Sequence, residues 1–281
     1  MSDATIEVYE TEDRTFAPSA EFAATALTAD RSLYDEAEAD LEGFWARQAR
    51  ELVSWDKDFT QVLDWQLPYA EWFADGKLNM SYNCLDRHVE AGRGDKVAYH
   101  WEGEPGDTRT MTYRELLTEV SKFANVLKSL GLEKGDRIAI YMPMILELPI
   151  AMLACSRIGV AHSVIFGGFS PDAIIDRCDD AQARLIVTAD AGYRRGEPSG
   201  LKVNVDAALA TRESTVENVI VVNRCDTDID MVADRDHWWH DLMATADPEC
   251  PPESMDAEQL LYLLYTSGTT AKPKGLSLIH I

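Results

Sequence analysis

One short stretch of the chain concentrates hydroxyl, glycine and lysine residues: Tyr265-Thr266-Ser267-Gly268-Thr269-Thr270-Ala271-Lys272-Pro273-Lys274-Gly275. Short hydroxyl side chains, backbone N–H groups freed by a glycine, and two ammonium groups together suit a polyphosphate. The apolar run Leu260-Leu261-Tyr262-Leu263-Leu264 just before it reads as a buried strand, so the loop opens at a strand's carboxyl end. The order Gly-x4-Gly-Lys-[Ser/Thr] is absent, which separates the loop from a Walker motif. An exposed polar turn is the alternative reading, and the density and order of residue types favour phosphate.

Two further segments carry candidate chemistry. In Phe166-Gly167-Gly168-Phe169-Ser170-Pro171, paired glycines let a ligand approach the backbone, and the helix opening at Ser170-Pro171 favours an anion. A plain strand-to-helix turn explains the same residues. In Ala189-Asp190-Ala191-Gly192-Tyr193-Arg194-Arg195-Gly196, adjacent arginines offer planar forks that bind phosphate bidentately. Surface ion pairing is the competing reading. His237-Trp238-Trp239-His240 lacks the further ligands that a metal needs, so aromatic packing is expected there. Asp179-Asp180 reads as a solvated helix end. No Ser-His-Asp or Cys-His arrangement offers a nucleophile, so no catalytic residue and no metal ligand is assigned.

These segments need elements to hold them. A helix is predicted from Ser32, with Ser32 as its cap and Leu33, Ala37, Leu41, Phe44 and Trp45 on one face. The aromatic-rich residues 45–72 read as a packing layer. From about residue 94 the pattern alternates strand and helix. A hairpin is predicted over 96–101 and 108–111, and a capping box at Thr112-Tyr113-Arg114-Glu115 opens a helix that Gly131 ends. Strands follow at 137–142, 160–166, 184–188, 219–222 and 260–264, with helices at 147–158 and 171–180. This rhythm predicts an α/β fold, a mostly parallel sheet with helices on both faces and ligands at the carboxyl ends of its strands.

Composition narrows the class. With 46% hydrophobic residues among 281, the chain can bury a sizeable core. Forty-nine acidic against 26 basic residues give a formal net charge of −23, which argues against nucleic acid or an anionic membrane as partner. A surface adapted to high salt accounts for that charge, as does the excess of arginine over lysine, and an acidic interaction protein is the alternative. Five widely spaced cysteines without a Cys-x-x-Cys pair indicate neither a disulfide framework nor a zinc site. With no signal-peptide pattern and no apolar run of membrane length, a cytoplasmic location is expected.

The loop resembles the phosphate-binding signature of adenylate-forming acyl-CoA synthetases, Tyr-Thr-Ser-Gly-[Ser/Thr]-Thr-Gly-x-Pro-Lys-Gly. Residues 72–88 (Trp72-Phe73-Ala74-Asp75-Gly76-Lys77-Leu78-Asn79-Met80-Ser81-Tyr82-Asn83-Cys84-Leu85-Asp86-Arg87-His88) and the stretches 141–155 and 162–170 are similar to the AMP-forming acetyl-CoA synthetase branch of that superfamily. The resemblance runs from about Leu33 to Gly275. It implies a ligase that joins acetate to CoA with ATP, giving acetyl-CoA, AMP and diphosphate through acetyl-adenylate, with Mg2+ accompanying ATP. It places Thr266, Ser267, Gly268, Thr269, Thr270, Lys272 and Lys274 at the ATP phosphates, and Gly168, Arg194, Arg195, Gly196 and Glu197 at the CoA nucleotide. Propionate or another short acyl group is the alternative substrate, and a non-catalytic nucleotide- or CoA-binding module the alternative class.

The chain departs from the family at several positions. Ala271 stands where glycine is usual, at a cost on the order of 1 kcal/mol if that residue needs a positive φ. Glu197 replaces a common basic residue, and Leu146 a frequent proline. His280 falls out of register with the family's histidine, so residues 276–281 read as a break from the pattern. The expected layout is an acidic disordered tail over 1–31, an N-terminal extension over 32–90 and an AMP-dependent synthetase domain over 91–281, cut after the phosphate loop. A fragment of this kind is expected to lack ligase activity by itself and to fold poorly around an open sheet edge.

Overall fold

A computed structural model describes residues 15–28, 30–266 and 273–280. The chain divides into two compact units, residues 1–49 and 50–281. In the first, part of the expected irregular tail forms a six-residue helix, Ala20–Thr25, because Ser19 caps it by accepting from the Phe22 amide at 3.2 Å. The tail's residues 1–14 lie outside the described residues. The helix predicted from Ser32 is instead two, Ser32–Ala39 and Leu41–Leu52. Asp40 makes the break, since its carboxylate accepts from the Gly43 amide at 2.9 Å and starts the second helix. Ser32 is the first helical residue rather than the cap, and its amide donates to Asp30 at 2.9 Å.

The second unit opens with an antiparallel hairpin of β1 (Leu63–Gln66) and β2 (Tyr69–Trp72). Of the expected aromatic layer, Trp55 and Phe59 do pack together and also against Phe73 just beyond it, with ring centroids 4.5–5.6 Å apart. Trp65 and Tyr69 stay exposed on the hairpin. After β3 (Lys77–Leu78) comes a polar hub. The Asn79 amide nitrogen donates to the carbonyls of Ser156, Arg157 and Glu253, and Arg157 pairs with Asp86. Both residues of that pair are buried, so the segment after β3 is fixed to the helix Glu147–Ile158.

The predicted hairpin is present as β4 (Val97–Glu102) and β5 (Thr108–Thr112). The Thr112–Glu115 capping box opens the helix Tyr113–Ser129 as expected. The main sheet has seven strands. They are drawn from β6 (Arg137–Met142), β7 (Ala161–Phe166), β8 (Leu185–Ala189), then, beyond the small hairpin β9 (Ala191–Arg194) and β10 (Glu197–Gly200), β11 (Asn218–Val222) and β12 (Asp236–Trp238). After β13 (Met255–Asp256), which pairs with β3, come β14 (Leu260–Thr266) and β15 (Lys274–Ile279). The order is β12-β11-β8-β6-β7-β14-β15. All neighbours are parallel except β14 and β15.

Ile138, Ile140, Val187 and Ile220 are wholly buried, as strands covered on both faces require. The helices Tyr113–Ser129, Glu147–Ile158 and Trp239–Thr245 pack together, and Pro171–Ala181 packs with Lys202–Leu209. The chain returns from β6 to β7 on one side and then crosses to β8 on the other. Such a reversal opens a crevice at the strands' carboxyl ends. The edge expected at β14 is occupied by β15, through cross-strand pairs from Leu260↔Ile279 to Thr266↔Lys274.

One burial feature makes the fold acid-sensitive. Both ring nitrogens of His162 and Nε2 of His280 are buried with no hydrogen-bond partner among the described residues. Burial, with His280 nearby, pulls the His162 pKa down to about 4. A lowered histidine pKa means that the unfolded chain takes up protons first, so stability present above pH 6.5 is lost as the pH falls towards 4. His162→Phe keeps the stack on Tyr262 and removes the titration. Relative to this variant, the natural chain is expected to lose about 2 kcal/mol more between pH 7 and pH 5, read by urea melts at each pH. Parallel losses in the two proteins would contradict this origin.

Candidate functional site

The glycine turn after β7 is positioned from below. The Tyr141 hydroxyl lies 3.0 and 3.1 Å from the carbonyl oxygens of Gly167 and Phe169, and the Asn204 amide donates to it at 3.2 Å. Ser170 caps the next helix by accepting from the Ala173 amide, with Pro171 in its first turn. A Cβ at Gly168 would sit 2.6 Å from the Phe166 ring and 3.4 Å from Nη1 of Arg194. A side chain there would clash with one neighbour and crowd the other. Gly168 and Arg194, 26 residues apart by number, therefore face each other.

The segment read as a strand-end loop is a tight hairpin. Arg195 and Gly196 connect β9 to β10 with φ of 57° and 86°, and Arg194 lies across from Glu197. Positive φ at both central residues marks the turn type whose twist matches a two-residue hairpin. Glycine takes this conformation freely, whereas Arg195 holds it under strain. The Gly196 amide donates to Glu104 on the tip of the β4–β5 hairpin at 2.6 Å. Arg194 and Arg195 are exposed and form no ion pair among the described residues.

Arg224, which the sequence did not single out, completes this wall. Its guanidinium stacks 5.0 Å from the Trp101 ring and 5.2 Å from that of Tyr193, and it pairs with Asp107 at 2.8 Å. Asp190 holds it in place. This wholly buried carboxylate accepts from the amides of Arg224 (2.7 Å), Cys225 and Thr227 and from the Thr227 hydroxyl (2.9 Å). Burial alone would raise the Asp190 pKa, but these donors outweigh it and hold the carboxyl below its ordinary value. Only a separation of more than 30 residues hid this hub, because acceptor and donors carry no shared local pattern.

The result is a crevice of about 600 Å³ at the carboxyl ends of the strands, walled by Trp101, Met144, Phe166, Gly168, Arg194 and Arg224. Leu264, on the strand that leads into the candidate loop at 266–274, lines it too. A smaller recess of about 390 Å³ continues along Arg194, Arg195, Glu197, Pro198 and Ser199. Apolar walls with guanidinium groups at one end suit a flat ring bearing phosphates. Thr266 and Lys274 pair across the two strands that flank the loop, and both are exposed. Ser267, Gly268, Thr269, Thr270, Ala271 and Lys272 lie outside the described residues.

The remaining candidates resolve as packing or pairing. His237 contacts Asn218 at 3.0 Å, and Trp239 stacks on Phe123 at 4.0 Å. Asp179 and Asp180 lie at a solvent-accessible helix end, as expected, and there Asp179 pairs with Arg212 while Asp180 accepts from the Tyr265 hydroxyl. Among the described residues, no group of three or more His, Cys, Asp or Glu side chains could hold a metal ion, and no helix is long and apolar enough to cross a membrane.

Comparison with known proteins gives two matching family models. The AMP-binding enzyme model matches residues 85–280, and that of the acetyl-coenzyme A synthetase N-terminus matches residues 30–84. The chain is 57% identical over 267 residues to the acetyl-coenzyme A synthetase of Streptomyces avermitilis, covering 94% of the chain and 40% of that relative. It is 55% identical to the enzyme of that name in Rubrobacter xylanophilus, covering 94% of the chain and 41% of the relative. With the Mycobacterium bovis enzyme it shares 54% identity over 98% of the chain and 42% of the relative. The chain thus spans about 40% of the length of the curated relatives it matches.

Proposed function

The chain belongs to the AMP-binding enzyme family, and we propose that it is the N-terminal part of an AMP-forming acetate–CoA ligase. In the first step an acetate oxygen bonds to the α-phosphorus of ATP while the bond to diphosphate breaks. In the second the CoA sulfur takes the acetyl carbon, AMP leaves with the electron pair, and the thiol proton is released. Positioning and neutralisation of phosphate charge carry most of such catalysis. Thr266, Ser267, Gly268, Thr269, Thr270, Lys272 and Lys274 hold the β- and γ-phosphates, and Mg2+ arrives with the triphosphate. Gly168, Arg194, Arg195 and Gly196 hold the CoA nucleotide, with Glu197 lining the same recess.

The observation that carries this reading is the meeting of Gly168 with Arg194, one of two adjacent arginines with no ion pair among the described residues, in a chain of net charge −23. Cations left unpaired in such a chain point to an anionic ligand. The acidic remainder of the surface is that of a protein working in high salt, where the screening length falls to a few ångströms. Calorimetric titration of CoA and of MgATP into the chain, with Arg194→Ala and Lys272→Ala as controls, tests the proposal. Arg194→Ala is expected to weaken CoA binding about tenfold and leave MgATP unaffected, with the reverse for Lys272→Ala. Flat titrations of both ligands into the natural chain would refute the reading.

A further inference from the structure

Arg177 and Asp180 have no part in the reading above, yet they stand between its two halves. Both lie on the helix Pro171–Ala181, whose cap follows the glycine turn. The Arg177 guanidinium lies 4.5 Å from the centroid of the Phe169 ring and 5.5 Å from that of Tyr265, in a residue only 8% exposed. Its Nη1 donates to the Ala173 carbonyl at 2.7 Å, which fixes the side chain along its own helix. One turn further on, Asp180 accepts from the Tyr265 hydroxyl at 2.5 Å.

Tyr265 is the cross-strand partner of Gly275, directly beneath the pair Thr266↔Lys274. A Cβ at Gly275 would lie 3.2 Å from the Tyr265 ring and 3.6 Å from Oδ2 of Asp180. The ring thus lies flat over a position that has no side chain, gripped by Arg177 on its face and by Asp180 at its hydroxyl. Burial and the Asp180 carboxylate raise the Tyr265 pKa far above neutrality, so the phenol remains a donor.

We propose that Arg177 and Asp180 are positioning residues that clamp the base of the phosphate loop, through Tyr265, to the helix that starts at the glycine turn. The clamp holds residues 266 and 274 in register before ligand arrives, so less ordering remains when a triphosphate binds. Arg177 touches Phe169 and Tyr265 at once, so one guanidinium supports the elements assigned to CoA and to ATP. This role rests on the assignment of 266–274 to the ATP phosphates, although the clamp itself is a property of the free chain.

Two measurements on the 281-residue chain separate these levels. Tyr265→Phe and Asp180→Ala each remove the hydroxyl bond without emptying the core, while Asp179→Ala removes only the neighbouring pair with Arg212. Amide hydrogen exchange at residues 266 and 274–276 is expected to speed up roughly fivefold in the first two variants and not in the third. Titration with inorganic tripolyphosphate is expected to show affinity falling roughly threefold in the same two variants, while CoA affinity holds. Unchanged exchange at those amides would overturn the clamp, whatever happens to overall stability. Absence of tripolyphosphate binding in the natural chain would refute the loop assignment instead, and the exchange data would still decide the clamp.

Discussion

Replacing Arg157 with alanine is expected to cost about 3–5 kcal/mol of folding stability, the largest single effect in the chain. Its guanidinium meets both carboxylate oxygens of Asp86 at 2.8 Å, and its Nε donates to the Cys250 carbonyl. Neither partner reaches bulk water freely, with side-chain exposures of 4% and 12%. Removing the cation would leave Asp86 as a buried, unpaired charge, which costs far more than the net worth of the intact pair. Lysine cannot reproduce the two-pronged contact, so Arg157→Lys should also be clearly destabilising. The double variant Arg157→Met/Asp86→Leu removes both charges and should recover most of the loss. Urea midpoints of the four proteins check this, and an unchanged midpoint for Arg157→Ala would contradict it.

The second large effect is expected at Asp190. Asp190→Ala removes the acceptor for three backbone amides and one hydroxyl in residues 224–227, at a cost of roughly 3 kcal/mol. Because those residues carry Arg224, the variant should also loosen the stack on Trp101 and Tyr193 that walls the crevice. The pH dependence has a definite sign. A carboxyl held below its ordinary pKa stabilises the fold above the unfolded value, and that contribution fades as pH falls through the folded value. The stability gap between the natural chain and Asp190→Ala should therefore be full at pH 7 and narrow in strong acid. A gap that widens on acidification would show that the carboxylate is not the stabilising form.

Local signals in the sequence translated well into local structure. The Thr112–Glu115 capping box, the left-handed Gly131 just after Tyr113–Ser129 and the Ser170-Pro171 cap all occur where their residue types placed them. The parallel sheet followed from the alternating rhythm, since each buried strand is a short apolar run between helices. The misses were of two kinds. Some arose where a polar side chain competed with the helix pattern, as Asp40 does by capping Gly43 and splitting one predicted helix. Others depended on partners distant in the chain, such as Asp86 with Arg157, Asp190 with Arg224 and Asp180 with Tyr265. No periodicity records which distant groups will meet.

The candidate site divides the same way. Gly168 and the paired arginines are visible as residue types, but on residue types alone a plain turn accounts better for the glycines and an ion-paired surface equally well for the arginines. In the structure Arg194 faces Gly168 and has no carboxylate partner among the described residues, which is the arrangement the proposed ligand role rests on. Arg224 and Trp101 were silent in the sequence, since a single arginine and a strand tryptophan have ordinary roles elsewhere. They matter here because β4–β5 and the loop after β11 converge on the same crevice.

In the proposed function the glycine turn and the arginine hairpin form one CoA nucleotide pocket. Hydrogen exchange of the 281-residue chain with and without saturating CoA tests it most directly. Slower exchange at residues 166–168 and 192–199, extending at most to the other crevice walls at 101–104, 142–148 and 224, is the expected result, because those segments line the crevice and its recess. Protection that is absent, or that falls elsewhere in the chain, would contradict it.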